Sequence, residues 1–153
     1  AIVCCQEYSH LKATVFDLPQ TLHVTERYIK EAGLEGRIEL KPGNFNSDPL
    51  GGPYDLALMS DILHYQDNQT NAVLVSKVFA HLKNQGRLVI KDRFLDQGRT
   101  SPAWTTAFAV HIMVNTEHGD CFTTQEAMEW MNVAGFQSVT ELESRAIVQG
   151  TKG

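Results

Sequence analysis

The chain has 153 residues, 42% of them hydrophobic and 20% charged, and this composition predicts one globular domain with a core of ordinary size. The formal net charge is −5 and the Lys and Arg residues are scattered, which argues against a nucleic-acid partner because phosphate binding needs a basic stripe. No apolar run approaches the roughly 18 residues that predict a membrane span. Three cysteines without C-x-x-C spacing indicate neither a disulfide framework nor a zinc site, so a reducing, cytoplasmic setting is favoured.

The first third of the chain predicts alternating helices and strands. An apolar run from Lys12 to Leu18 predicts a strand that Pro19 ends, so Asp17 is expected at the carboxyl end of that strand. The other predicted elements here are a short helix over residues 2–9, a helix over Thr21–Ala32, a strand over Arg37–Leu40 and a loop rich in Gly and Pro over Ser47–Pro53.

The segment Tyr54–His64 carries the first candidate for chemistry. Its apolar run Leu56–Met59 predicts a strand buried on both faces, as in a parallel sheet, with its carboxyl end at Ser60. Ligands of open α/β sheets bind outside the carboxyl ends of the strands. The imidazole of His64 is therefore expected beside the site, although a lone histidine after a strand is more often structural.

The rest of the chain predicts further alternation and then an antiparallel edge. The predicted elements are a helix over Asn68–Lys83, a strand over Leu88–Ile90 that precedes Asp92, an apolar helix over Pro102–Asn115, a helix with the capping box Thr123–Glu126 that ends at Gly135, and two short strands over Ser138–Leu142 and Ala146–Val148. The last two strands are close enough to form a hairpin. This order indicates an α/β fold with an antiparallel edge.

A series of short segments carries a family resemblance along nearly the whole chain. They are Phe16-Asp-Leu-Pro19, Arg37 to Phe45, Tyr54-Asp-Leu, Ser60-Asp-Ile-Leu-His64, Gly86-Arg-Leu-Val-Ile90, Asn115-Thr-Glu-His-Gly119 and Ala134-Gly-Phe136. In this order they resemble the catalytic domain of S-adenosylmethionine-dependent O-methyltransferases, in particular bacterial small-molecule members of the family that includes plant caffeate and hydroxyindole methyltransferases. The resemblance implies a Rossmann-like class I sheet with a carboxy-terminal hairpin, and S-adenosylmethionine as cofactor. It also implies methyl transfer to a hydroxyl of a small, aromatic or polyketide-like acceptor.

The resemblance also implies which residues would hold the cofactor. Asp17, with Leu18 beside it, would accept hydrogen bonds from the ribose hydroxyls, although as an isolated residue Asp17 could simply cap the next helix. Asn44 and Phe45 match the adenine-binding segment, in which the usual Asp is here the neutral Asn44. Ser60 matches a position near the methionine end of the cofactor.

The same resemblance assigns the catalytic and acceptor-binding positions. His64 matches the general base, and Asp92 matches the carboxylate that orients this base. Alternatively, Asp92 is only a solvated turn residue beside Arg93. His111 and Met113 could line the acceptor pocket, but such spacing on an apolar helix is more often that of core residues. No metal is required by this arrangement.

A second family carboxylate is commonly found where this chain has Cys121. The neighbouring Asp120 could take the place of that carboxylate. If neither residue supports the base, transfer would be slow.

Three elements of the family are absent from the sequence. The Asp/Glu-x-Gly-x-Gly loop and the first strand that precedes it do not occur, and neither does the amino-terminal dimerisation domain. Residues 1–153 are therefore interpreted as a partial catalytic domain of a longer enzyme, which would be a homodimer. The alternatives are a C- or N-methyltransferase of the same family, and a truncated, non-catalytic fragment that does not bind cofactor. A nicotinamide-dependent Rossmann enzyme is disfavoured because no G-x-G-x-x-G is present.

Overall fold

The computed structural model describes residues 1–142 and 146–153, which fold as two compact units, Ala1–Leu50 and Gly51–Gly153. The helices are α1 (Ile2–Glu7), α2 (Pro19–Glu31), α3 (Asn68–Ala80), α4 (Ala103–Asn115) and α5 (Thr124–Ala134). The strands are β1 (Ala13–Asp17), β2 (Ile38–Pro42), β3 (Tyr54–Ser60), β4 (Leu82–Lys91), β5 (Phe136–Leu142) and β6 (Ile147–Lys152). A single 3₁₀ turn, Leu63–Tyr65, follows β3.

The first unit contains a two-stranded parallel sheet. β1 pairs with β2 from Ala13↔Ile38 to Asp17↔Pro42, and α1 and α2 contribute Cys5 and Ile29 to the small core beside it. α2 begins at Pro19 rather than at the predicted Thr21, because a proline is well suited to the first position of a helix, where its missing N–H leaves no hydrogen bond unmade.

The second unit contains a four-stranded sheet in the order β3-β4-β6-β5. β3 and β4 are parallel, whereas β6 runs antiparallel to both β4 and β5. The predicted α/β sheet with an antiparallel carboxy-terminal hairpin is therefore confirmed. Residues 143–145, predicted to link the hairpin strands, lie outside the described residues. The centre of this sheet is fully buried through Leu88, Ile90 and Val148.

The prediction that β3 is buried on both faces is wrong. Met59 is buried, but Leu56 and Leu58 are 56% and 54% exposed. Successive side chains of a strand point to opposite faces, so Leu56 and Leu58 share the face that remains open in the described residues. An apolar run alone does not show how many faces of a strand are covered.

The boundary between α3 and β4 also differs from the prediction. The helix ends at Ala80 instead of Lys83, and β4 is ten residues long, beginning at Leu82. Leu82 pairs with Tyr54 and is buried, so its apolar side chain suits a strand as well as a helix face. Gly86 lies within β4 instead of ending the helix. A Cβ at Gly86 would approach the carbonyl of Lys83 to 2.8 Å, so the irregular pairing between Leu82 and Arg87 leaves room only for glycine at this position.

The two following helices match their predicted boundaries closely. α4 begins directly after Pro102, and α5 has the predicted capping box, in which Thr123 and Glu126 exchange hydrogen bonds between side chain and backbone. Gly135 ends α5 with a φ of 100°, a conformation that favours glycine. Within the described residues, no helix is both long and apolar enough to cross a membrane.

Candidate active site

The paired strands β3 and β4 place a histidine and an aspartate side by side. The two parallel strands stay in register to their carboxyl ends, where Ser60 pairs with Lys91. The 3₁₀ turn beyond β3 carries His64, and Asp92 directly follows β4. The Nδ1 atom of His64 lies 2.7 Å from Oδ1 of Asp92, and the two residues are only 3% and 7% exposed. The structure therefore brings together the two residues predicted to be catalytic.

The carboxylate of Asp92 fixes the position and the tautomer of the imidazole. Oδ2 accepts a hydrogen bond from the backbone N–H of Leu63 at 3.0 Å, and Oδ1 also accepts one from the N–H of Arg93 at 2.7 Å. An ionised carboxylate only accepts, so Nδ1 of His64 carries the hydrogen in this pair. The basic lone pair is then on Nε2, and this nitrogen is available to take a proton.

Two buried amides support the turn from the other side. Nδ2 of Asn71 donates to the carbonyl of Leu63 at 2.9 Å, and Nε2 of Gln66 donates to Oδ1 of Asn71 at the same distance. Sequence reasoning missed this pair. The signal was present, since Asn71 is a polar residue on the face of α3 that also carries Leu74, Val75 and Val78.

Gly119 packs directly against the same turn. A Cβ at this position would lie 2.4 Å from the backbone oxygen of His64 and 2.7 Å from the side chain of Ile112. Any larger residue would push the turn or α4 away. This close approach explains why a glycine stands here.

An aromatic surface lies next to the histidine. The rings of Trp104 and Phe108, one turn apart on α4, are parallel with centres 5.5 Å apart, and we call this pair the aromatic shelf. Phe108 also meets the ring of His64 edge-on at 5.0 Å. The guanidinium carbon of Arg93 lies 4.4 Å from the Trp104 ring centre and 4.2 Å from that of Phe108. The sequence prediction included neither the shelf nor Arg93, although aromatic residues at i and i+4 were a visible signal.

The two predicted acceptor-pocket residues differ in their surroundings. The ring of His111 lies 6.3 Å from that of Phe108, so His111 borders the aromatic shelf. Its Nδ1 is near the side-chain amide of Asn115. Met113 is exposed on α4. The roles of both residues in acceptor binding remain predictions.

Asp120 is paired with an arginine. Its Oδ2 accepts from Arg99 at 2.9 Å and its Oδ1 accepts from the N–H of Cys121 at 2.7 Å. In the part of the chain that the structure describes, Asp92 is the carboxylate bonded to His64. The geometry therefore gives no support for Asp120 as a second partner of the base.

Cys121 is a buried thiol packed with Leu95, Ala109 and Phe108. The pKa of Cys121 is raised to about 11, chiefly by burial and also by the nearby carboxylates of Asp92 and Asp120, while Arg93 and Arg99 oppose the shift. The side chain is therefore a neutral thiol at neutral pH. It cannot act as the carboxylate that the family commonly has here.

Ser60 is exposed at the end of β3. Its hydroxyl donates to Asp61 at 3.1 Å. Asp61 also binds the ammonium group of Lys91. Burial raises the pKa of Asp61, but the hydrogen bonds from Lys91 and Ser60 outweigh it, so the pKa lies below its usual value. Asp61 therefore remains ionised beside Ser60.

The predicted cofactor-binding residues of the first unit lie at one edge of its sheet. Asp17 and Pro42 end paired strands, and the N–H of Gly43 donates to the carbonyl of Asp17 at 3.0 Å. Asn44 follows directly, and Phe45 is half-buried beside it. The structure therefore brings Asp17, Leu18, Asn44 and Phe45 to the same edge.

The chemistry of this edge fits a nucleoside. Oδ1 of Asp17 accepts from the N–H of Leu18 at 2.7 Å, which leaves Oδ2 to accept from hydroxyl groups. Oδ1 of Asn44 accepts from the N–H of Asn46 at 2.9 Å and retains its second lone pair. A Cβ at Gly43 would approach the ring of Phe16 to 2.6 Å, so the backbone passes close to that ring.

One cavity of the second unit takes no part in this arrangement. A cavity of about 310 Å³ is lined by Leu95, Asp96, Gln97, Gly98, Thr124 and Glu141, none of which is a predicted site residue.

Among residues 1–142 and 146–153, no group of three or more His, Cys, Asp or Glu side chains could hold a metal ion.

Comparison with known proteins shows which family the chain belongs to. The sequence profile of the O-methyltransferase domain matches residues 1–137. The chain belongs to the O-methyltransferase family. S-Adenosylmethionine is the cofactor of this family, and one relative, PigF of a Serratia strain, is named as an S-adenosyl-L-methionine-dependent methyl transferase; it is 23% identical over 99% of this chain and 44% of its own length. The predicted family and cofactor are thereby confirmed.

The curated relatives act on several small molecules. A 3-hydroxy-5-methyl-1-naphthoate 3-O-methyltransferase of Streptomyces sahachiroi is 28% identical over 99% of this chain and 45% of its own length. An 8-O-methyl transferase of tetracenomycin polyketide synthesis from Streptomyces glaucescens is 27% identical over 86% of this chain and 39% of its own length. The chain thus spans less than half the length of these relatives.

Solved structures of the family share the fold. An O-methyltransferase family 2 protein from Planctomyces limnophilus, in complex with apigenin, superposes with a TM-score of 0.92 at 24% identity, over 99% of this chain and 46% of that one. Human N-acetylserotonin methyltransferase, in complex with SAM, gives 0.85 at 24% identity, over 98% and 43%. The class I methyltransferase fold is therefore confirmed.

Proposed function

We propose that this chain binds S-adenosylmethionine and transfers its methyl group to a hydroxyl of a small acceptor, with His64 as general base. The observation that carries the proposal is the buried pair of His64 and Asp92, joined at 2.7 Å just beyond the ends of two adjacent parallel strands. In α/β sheets this edge is where ligands bind. A pair placed here is suited to proton transfer.

The role of the chain is to align the reactants and to accept a proton. S-Adenosylmethionine, when bound, supplies a methyl group on a sulfonium, which an acceptor oxygen attacks in line. Nε2 of His64 takes the hydroxyl proton as the new bond forms, and Asp92 stabilises the resulting imidazolium through Nδ1. Both side chains are buried, so water does little to weaken the hydrogen bond between them.

Residues at the ends of β1 and β2, in the first unit, would hold the nucleoside part of the cofactor. We assign the ribose to the free carboxylate oxygen of Asp17, next to Leu18, and the adenine to Asn44 and Phe45. Ser60 would contact the methionine end. Orientation by several such groups accounts for a large part of the rate in a displacement between two bound molecules.

The acceptor is proposed to be a small aromatic molecule. The flat aromatic shelf beside His64 supports this, and two relatives are named for a hydroxynaphthoate and for a step of polyketide synthesis. His111 and Met113 would border the same acceptor. Transfer to carbon is the second candidate, because an L-tyrosine C(3)-methyltransferase of Streptomyces lavendulae is 27% identical over 92% of this chain and 38% of its own length. A homodimer and a cytoplasmic location remain predictions.

Calorimetric titration with S-adenosylhomocysteine, the demethylated cofactor, tests the binding step. We expect saturable binding by the 153-residue chain and loss of binding in Asp17→Ala. Glu35→Ala removes an exposed carboxylate of the same unit and should leave the affinity unchanged within about twofold. A cooperatively folded chain that does not bind would favour the non-catalytic alternative. Equal affinity in the wild type and Asp17→Ala would remove Asp17 from the site.

A further inference from the structure

Arg93 has an unusual position beside the proposed base. Its backbone N–H donates to Asp92, and its guanidinium lies over both rings of the aromatic shelf. The Phe108 ring has the guanidinium 4.2 Å from its centre and the imidazole of His64 at 5.0 Å. A cation and a proton acceptor are therefore placed around one aromatic ring.

Most of the hydrogen-bonding capacity of this guanidinium is unused. Nε lies 3.5 Å from Oδ1 of Asp61, and that carboxylate is itself held through Oδ2 by Lys91 and Ser60. Within the described residues, the guanidinium of Arg93 donates no hydrogen bond, and its ion pair is the long one with Asp61. The Arg93 side chain is 36% exposed and Trp104 is 60% exposed, so solvent reaches the guanidinium and the shelf.

Such a guanidinium is suited to one class of ligand. Arg presents its N–H groups in a planar fork that matches both oxygens of a carboxylate, and it is charged at every accessible pH. Stacking on two rings removes rotamer freedom in advance, so little further ordering is needed when an anion binds. The rings next to it offer a flat surface for the aromatic part of the same ligand.

We infer that Arg93 is the carboxylate-binding residue of the acceptor site, and that the acceptor is an aromatic hydroxy acid. Its ring packs on the aromatic shelf, its carboxylate binds the Nη groups of Arg93, and its hydroxyl faces Nε2 of His64. The placement of the acceptor hydroxyl toward His64 rests on the proposed function, in which His64 is the general base. The preference for an acid rests on Arg93 alone.

Two probes of matched shape test the inference: 3-hydroxy-2-naphthoate, and 2-naphthol, which lacks the carboxylate. Calorimetry with the 153-residue chain, without cofactor, should show the naphthoate binding at least about tenfold more tightly, the scale of a hydrogen-bonded charge pair. Arg93→Gln should reduce the affinity for the naphthoate to that for the naphthol. The affinity of Arg93→Gln for the naphthol should stay within about twofold of the wild-type affinity, which would show that the aromatic shelf is intact.

Arg87→Gln is the matched control, because it removes the same charge from an exposed position of β4, the strand that precedes Arg93. It should keep the full preference for the naphthoate. Equal affinities for the two probes in the wild type, or an undiminished preference in Arg93→Gln, would overturn the inference. Because cofactor is absent from this experiment, its outcome is separate from that of the S-adenosylhomocysteine titration, so failure of one proposal is distinguishable from failure of the other.

Discussion

The side chain of Asp92 joins the ends of two strands by bonding both to the ring of His64 and to the backbone N–H of Leu63, one residue before it. One carboxylate thereby holds the candidate base and the turn that carries the base. The geometry of the base and the stability of the second unit consequently depend on the same buried group.

Asp92→Asn is expected to destabilise the chain by about 2 kcal/mol. An amide keeps the shape but places an NH₂ where Asp92 accepts hydrogen bonds from Leu63, His64 and Arg93, so a buried donor is left facing another donor. Urea unfolding measures the loss. Asp55→Asn, at an exposed carboxylate paired with Lys83 on the surface, should cost at most about 1 kcal/mol. Equal costs for the two variants would contradict the role given to Asp92.

Gly119→Ala should be destabilising by about 1–3 kcal/mol. The added methyl group would lie 2.4 Å from the backbone oxygen of His64, so the turn or α4 must move. Gly98→Ala is the control, since its Cβ would make only an ordinary contact at 3.5 Å with Thr100. Thermal unfolding of the two variants measures the difference. If Gly119→Ala is as stable as Gly98→Ala, the close packing around the turn is not as described.

The Cys121 thiol should be inert in the folded chain. Burial and the two nearby carboxylates raise the pKa of Cys121 to about 11, so the reactive thiolate is scarce at pH 8. Cys4 is exposed and Cys5 is buried, so a thiol reagent such as Ellman's should find one fast-reacting cysteine. Cys4→Ser should show none until denaturant is added. A second fast thiol in the native wild type would contradict this assignment.

The same pKa shift has a consequence for stability. The unfolded thiol ionises near pH 8.5, whereas the folded thiol ionises near pH 11. The neutral thiol therefore makes its full contribution to the free energy of unfolding below about pH 8.5, and this contribution is lost as the pH rises toward 11. Cys121→Ala should lower stability at neutral pH by leaving a small cavity, yet flatten the decline above pH 8.5. An unchanged alkaline slope in this variant would show that other groups cause the decline.

Thr123→Ala should cost about 1 kcal/mol by removing the cap of α5. Its hydroxyl accepts from the N–H of Glu126, while the Glu126 side chain accepts from the N–H of Thr123. Thr106→Ala, within α4, is the control, because its hydroxyl bonds only to the carbonyl of Pro102 and alanine favours helix. Urea unfolding of both variants is the measurement, and a larger loss for Thr106→Ala would contradict the importance of the cap.

The sequence predicted best the elements that local chemistry determines. The capping box of α5 and the proline before α4 each mark a helix start, and the structure has both within one residue of the prediction. The predicted helix boundary near Leu82 was wrong because an apolar residue suits a helix as well as a strand. The pairing of Leu82 with β3 makes it part of a strand. The exposure of Leu56 and Leu58 could not be predicted either, since it depends on what covers the sheet.

The candidate site also contains residues whose position the sequence predicted and contacts that it did not predict. His64, Asp92 and Asp17 were predictable from the resemblance, and each lies at or just beyond the carboxyl end of a strand. The hydrogen bond of Asn71 with Gln66 is local, and the polar Asn71 on an apolar helix face was a signal that the prediction did not use. The place of Arg93 on the aromatic shelf is a contact between the residue after β4 and the helix α4. No local pattern specifies that contact, which depends on how α4 packs.

The measurement that tests the proposed mechanism most directly is the methyl-transfer rate of the 153-residue chain with labelled S-adenosylmethionine and 3-hydroxy-2-naphthoate. We predict that His64→Ala lowers the rate by about 100-fold or more while S-adenosylhomocysteine affinity stays within about twofold of the wild type. His23→Ala, at an exposed histidine, should leave the rate unchanged. A wild-type chain that binds S-adenosylhomocysteine but transfers no methyl group, or a His64→Ala variant as fast as the wild type, would contradict the proposed mechanism.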